Sequence, residues 1–185
     1  MKPWRIILAT VVCLLAGAAA AQDTNILRTE IGLFENRVGT VIVKGYGLVG
    51  SVEAGTAEIS VRSKESTDVN LARKVYGMAV QINISGSPPE RIYVDEDEIG
   101  ALLAGISYLA KISYDVTALQ GFEASYTTKG GLQVLAHSIR KEGGIQFALQ
   151  GNYSPPVPLS SIQMTQLYGL VSEAQKNLDA IKRKK

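Results

Sequence analysis

The residues whose types and spacing could do chemistry fall in a few short stretches. Gly45-Tyr46-Gly47-Leu48-Val49-Gly50 fits the Gly-x-Gly-x-x-Gly pattern that cradles phosphates. In a dinucleotide fold the third glycine opens a helix whose N-terminus meets the pyrophosphate, whereas here Ser51 and Val52 continue an extended run. A kinase-like glycine loop needs a catalytic loop and a metal-binding aspartate motif downstream, and the sequence has neither. The stretch therefore reads as a tight turn with crossing backbone. Asp95-Glu96-Asp97-Glu98 offers hard oxygen ligands in a row, but a calcium loop spreads its ligands around a glycine turn over about 12 residues. These carboxylates instead precede an apolar stripe of helical period. Asp95 as N-cap and Glu98 three residues on make a capping box, favoured by the helix dipole.

His137 is the sole histidine, and a nucleophilic triad would need it beside a serine. Its neighbour Ser138 lies next to it in a strand and so points to the other face. A metal site would lack a second histidine or a cysteine. Lys182-Arg183-Lys184-Lys185 could touch nucleic acid or acidic lipid, but positive charge at a helix C-terminus is also what the dipole favours. No catalytic, cofactor-binding or metal-binding residue emerges, and the expectation is a protein that is not an enzyme. Outward strand positions remain: Glu58, Ser60, Arg62, Gln81, Asn83, Ser125, Thr127, Gln146 and Gln150, neutral on balance and without aromatics. With Tyr46, Tyr93, Tyr108, Tyr114 and Tyr153, if exposed, they suit a protein or carbohydrate contact. Asn83-Ile84-Ser85 fits the N-glycosylation pattern but lies within a strand.

The elements that must position these residues follow from periodicity. Thr24–Glu35 is spaced as a short helix, with Thr24 available as its cap. Val38–Lys44, Leu48–Glu53 and Ala57–Ser63 read as strands, the first two separated by glycine turns within Gly45–Gly55, and Ser63–Ala72 reads as a polar loop. Met78, Val80, Ile82 and Ile84 alternate with polar or small residues until Pro88-Pro89 ends the strand. Ile99, Leu102, Leu103, Ile106 and Leu109 make one helical stripe, with Gly100 and Gly105 tolerated by close packing on a sheet. Strands at Phe122–Thr127 and Leu132–Ile139 flank Lys129-Gly130-Gly131, and Lys141–Gly144 turns into a strand with Ile145, Phe147 and Leu149 inward. Ser160 and Gln163 then cap a last helix with the stripe Met164, Leu167, Val171, Ala174, Leu178 and Ile181.

The first 21 residues have the order of a secretory signal peptide: Lys2 and Arg5, the apolar Ile6–Leu15, then Ala18–Ala21 with cleavage expected after Ala21. The apolar run is shorter than the about 20 residues of a membrane span, and no later segment approaches one. Without Lys2 and Arg5, the 19 basic residues of the chain fall to equal its 17 acidic ones. A neutral mature chain has no global field drawing it to nucleic acid or anionic lipid. The single cysteine, Cys13, lies inside the leader, so the rest must be stable without disulfides even in an oxidising compartment. A periplasmic or secreted location follows as the expectation.

Two stretches correspond. Gly77–Ile82 aligns with Gly144–Leu149, and Ser87-Pro88-Pro89 with Ser154-Pro155-Pro156, 67 residues apart. After a two-residue deletion Asp95, Glu98, Ile99, Leu102 and Ile106 fall on Ser160, Gln163, Met164, Leu167 and Val171. The expected architecture is a single α+β domain over residues 22–185, with antiparallel sheets, a short N-terminal helix and two β-β-β-α halves, 38–113 and 119–182. This order resembles the fold of the Whirly and Pur-alpha single-stranded nucleic-acid-binding proteins, in which antiparallel strands followed by a capped helix occur twice. The second half shows three strands where that layout has four. The resemblance implies single-strand binding on a basic, aromatic sheet face. The residues themselves favour an exported, non-enzymatic binding module whose partner is another protein or a second copy of itself, with nucleic-acid binding and an unrecognised enzyme as alternatives.

Overall fold

The computed structural model describes residues 28–139 and 144–184. The signal segment, Thr24 and residues 141–143 of the expected turn lie outside the described residues. Within them the chain is α+β with antiparallel sheets and a short N-terminal helix, in the order α1 (Glu30–Glu35), β1 (Ile42–Ala54), β2 (Ala57–Asp68), β3 (Arg73–Ile84), β4 (Glu90–Asp95) and α2 (Glu96–Ala110). A 3-10 turn at Tyr114–Val116 leads to β5 (Gly121–Thr127), β6 (Gln133–Ile139), β7 (Ile145–Gln150), β8 (Val157–Leu159) and α3 (Ser161–Arg183). Each sheet is a four-stranded antiparallel meander, β1-β2-β3-β4 and β5-β6-β7-β8.

Several boundaries differ from the sequence reading, each for a physical reason. The described N-terminal helix begins at Glu30 and is capped by Thr29, whose hydroxyl accepts from the Gly32 amide at 3.0 Å. Val38–Lys44 and Leu48–Glu53 do not form separate strands around a glycine turn. Gly45, Gly47 and Gly50 lie within the continuous β1, and the Gly-x-Gly-x-x-Gly pattern is spent on a bulge between Leu48 and Gly50. Gly50 lies against Leu170 of α3, whose Cδ2 would stand 2.7 Å from a Cβ there. Ser63–Ala72 is not a loop: β2 runs to Asp68, with Lys64, Ser66 and Asp68 buried on the face away from the main core. After each Pro-Pro pair a short strand follows, β4 and β8; the second half rises from three strands to four, and the first still has four because two expected strands merge into β1. β8 has only Val157 and Leu159 to bury, too little for a period to show.

The main core is contiguous across both halves. Ile59, Val61, Met78, Val80 and Ile82 from the first sheet join Val134, Ala136, Phe147 and Leu149 from the second, with the stripes of α2 and α3 between them. At about 1.5–3 kcal/mol for each fully buried aliphatic side chain, this burial outweighs any cap or ion pair described below. The helices are exchanged: α3 packs chiefly on β1 and β2, while α2 packs on β5 and β6 as well as on β3 and β4. Gly105 brings α2 against the second sheet, since a Cβ there would meet the Tyr126 ring at 2.6 Å; Gly100 faces open space and needs another explanation than close packing. Ser160 and Gln163 form the expected capping box, and Gln163 Nε2 also donates to the Glu53 carbonyl at 2.6 Å.

Candidate functional site

The side of the first sheet turned away from the main core is half covered and half open. Register places Ser51, Ser60, Gln81 and Arg91 in one row across the strands, Leu48, Arg62, Ala79 and Tyr93 in the next, and Tyr46, Lys64, Gly77 and Asp95 in a third. α1 lies over the last of these. Asp95, expected to cap its own helix, makes no side-chain bond there. Its carboxylate instead accepts from the amides of Glu30 at 2.7 Å and Ile31 at 3.1 Å, gripping α1 from outside. Ile31 and Phe34 then bury against Val75, Ile42 and Tyr93, and Gly77 leaves the space that Ile31 fills.

Beneath the C-terminal end of α1 sits Lys64, none of whose side chain reaches solvent. Its ammonium lies 2.6 Å from Glu35 Oε1 and donates to the Tyr46 hydroxyl at 2.7 Å. Lys44 approaches Glu35 Oε2 at 3.0 Å, and the Ser66 hydroxyl also donates to Glu35. Burial raises the Glu35 carboxyl, but Lys64, Ser66 and Lys44 together hold it below its ordinary value. Burial likewise opposes ionisation of Tyr46, and the Lys64 ammonium with the Tyr93 hydroxyl outweighs it, leaving this phenol below its ordinary value. Tyr93 goes the other way, pushed up to about 12 by burial and by the negative Glu35.

Tyr46 leans across the sheet. Its ring lies over Lys64 Nζ, 3.9 Å from the centroid, and within 5.6 Å of the Arg91 guanidinium. Tyr46 stands on β1 and Arg91 on β4, strands about 14 Å apart at the usual antiparallel spacing, and their rows are offset along the strands as well. Gly77, Ala79 and Ser60, all buried, are the small residues on the two strands between, beside Lys64, Arg62 and Gln81. Arg91 also donates to Gln81 Oε1 at 3.0 Å. On the same strand and face, the Ser60 hydroxyl and Arg62 Nε are buried without a hydrogen-bond partner among the described residues. Tyr46 remains 41 % exposed and Leu48 65 %, so the bridge has an open rim.

This overturns the expectation of outward faces without aromatics. Tyr46 and Tyr93 join Arg62 and Ser60 here, whereas Tyr108 and Tyr153 are exposed outside this cluster and the Tyr114 hydroxyl donates to the Gly144 carbonyl. Gln81, Asn83 and Glu58 bond among themselves nearby, and Ser125, Thr127 and Gln146 are exposed on the second sheet. His137 is exposed, with Nε2 2.9 Å from Gln146 Oε1, and Ser138 is buried. The acidic run is divided among structural tasks. Asp97 pairs with Lys129 at 2.8 Å, Glu98 accepts from the Lys129 amide at 2.7 Å rather than closing a capping box, and Glu96 pairs with Lys182. Among the described residues no group of three or more His, Cys, Asp or Glu side chains could hold a metal ion. No described helix is long and apolar enough to cross a membrane.

A concavity of about 470 Å³ lies between the Ser87-Pro88-Pro89 and Asn152–Pro155 turns. Glu90 closes its floor by accepting from the amides of Asn152, Tyr153 and Ser154 at 2.6, 3.1 and 2.8 Å. That carboxylate is fully occupied in joining the two halves. Comparison with protein-family models, with curated proteins and with solved structures finds no match in any of them, so the functional reading rests on the Tyr46 face itself.

Proposed function

We propose that the protein is an exported, non-enzymatic binding module, periplasmic or secreted, that recognises another protein with the open part of the first sheet. The observation that carries the reading is the Tyr46 bridge: an exposed aromatic and Leu48 beside Arg91 and Arg62, on a rigid four-stranded support. Aromatic and arginine anchors on a preformed surface are what protein interfaces concentrate. The charged, apolar and small-residue order of the first 21 residues supports export. The test is crosslinking in the native cell followed by purification of the tagged protein. A partner recovered with the wild type and lost with the double substitution Tyr46→Ala, Leu48→Glu, but kept with Gln146→Arg on the other sheet, supports the reading. Partner recovery indifferent to the double substitution overturns it.

The same face favours a second reading, single-stranded nucleic-acid binding, because tyrosines and arginines on an open antiparallel sheet can stack bases and meet phosphates. Fluorescence anisotropy with a labelled single strand separates the two. Binding that weakens steeply with salt and is lost on Tyr46→Ala would carry this reading, and no binding at low salt would end it.

A further inference from the structure

We propose that the Tyr46 bridge encloses a site for an oxyanion, carboxylate or phosphate, held by the guanidinium groups of Arg62 and Arg91 and by the hydroxyls of Ser60 and Tyr46; this rests on reading that face as the recognition surface. Ser60 is 3 % exposed, and its hydroxyl points to the bridge side of the sheet with nothing to bond. Two residues along the same strand, and so on the same face, Arg62 Nε is buried in the same condition. Buried polar groups are almost always satisfied, and each orphan costs about 1–3 kcal/mol. Two adjacent orphans, one on an arginine, describe a receptor for an acceptor group.

The charges agree. Lys44, Lys64, Arg62 and Arg91 face this part of the sheet. Lys44 and Lys64 are paired with Glu35 and Asp95 holds the start of α1, which leaves Arg62 and Arg91 as the cations of the face, with Glu53 and Glu58 one row beyond Ser60. Arg91 bonds a neutral amide, Gln81, which an incoming anion could displace. Guanidinium forks match the planar oxygens of carboxylates and phosphates. Tyr46 adds a donor of particular kind. Lys64 directs a hydrogen at its oxygen, which leaves the phenol's own proton to offer a ligand. Ala79 and Ser60 are the small residues of the floor, and Ile31 covers Gly77 beside them.

Isothermal titration calorimetry of the full chain with inorganic phosphate and with succinate, at constant ionic strength set by chloride, tests the site. The expected result is saturable binding of at least one probe, with phosphate and succinate distinguishing the two sources of the oxyanion. Arg62→Gln and Arg91→Gln should each weaken it by about tenfold or more. Arg91 lies at the exposed sheet edge, so its variant keeps the test valid should Arg62→Gln fail to fold. Wild-type binding should fade as the pH approaches the lowered Tyr46 pKa from below, and Tyr46→Phe should bind more weakly and lose that alkaline dependence. Absence of saturable binding overturns the proposal, as does binding unchanged in both arginine variants, which would mean an adventitious ion only. Partner capture that depends on Tyr46 and Leu48 without anion binding would sink the oxyanion site alone; the converse would sink the protein-partner reading alone.

Discussion

Lys64 concentrates the molecule's electrostatics into one side chain. A buried ion pair is costly to break because the survivor is left charged in a dry place. Lys64→Ala should therefore destabilise the protein by about 3–5 kcal/mol in urea unfolding, whereas Lys64→Met with Glu35→Gln should recover a large part of that loss. The pH dependence follows from Glu35. Its folded pKa is depressed, so its stabilisation is present above the ordinary carboxylate range and lost as pH falls through the lower folded value. Glu98 has the opposite sign. Burial raises its pKa and its Oε2 has no partner, so its ionisation opposes folding above the raised value. Glu98→Gln keeps the Lys129 contact and should raise the Tm near pH 8, with the gain shrinking as the buffer approaches about pH 4. None of this was legible in the sequence. Lys64, Ser66 and Asp68 alternate as an exposed polar strand or a loop would, and only the arrival of α1 makes that face an interior.

At the scale of elements, α1 shows how a short helix is held in place. Six residues are too few to be stable alone, and Asp95 supplies the two charge-assisted bonds that its first amides lack. Asp95→Ala should release it at a cost of about 1.5–3 kcal/mol per bond. Hydrogen exchange checks this: the amides of α1 should lose protection while those in the middle of α2 keep theirs. The helices α2 and α3 were readable because their apolar stripes repeat over several turns, and the Ser160–Gln163 box was readable because its partners are local. Asp95 and Glu98 carry the same spacing signal, yet both side chains bond to distant backbone. Spacing shows that a carboxylate stands at a helix start, not which amides it satisfies. Tyr46 illustrates the same limit: its place among glycines suggested a turn, and only the continuous β1 puts it opposite Lys64.

For the whole molecule the deciding feature is the exchange of helices. The first sheet's inner face is completed by α3, and the bond from the Ser63 hydroxyl to the Ala174 carbonyl spans 111 residues of sequence. Residues 28–118 and 119–184 prepared separately should each lack a cooperative thermal transition, and equimolar mixing should restore one near that of the intact chain. Two independent transitions that persist unmixed would contradict this. The alternation within strands and the paired Ser-Pro-Pro turns made the two-part layout visible, but no local pattern says which helix covers which sheet. The exchange also imposes an order in time. As the chain leaves the ribosome from its N-terminus, β1 and β2 emerge long before the segment that must cover them. Val52, Ile59 and Val61 therefore stay uncovered by α3 until its residues, far along the chain, have appeared. Such distant closure makes for slow folding, with the apolar face of the first sheet left open until α3 docks.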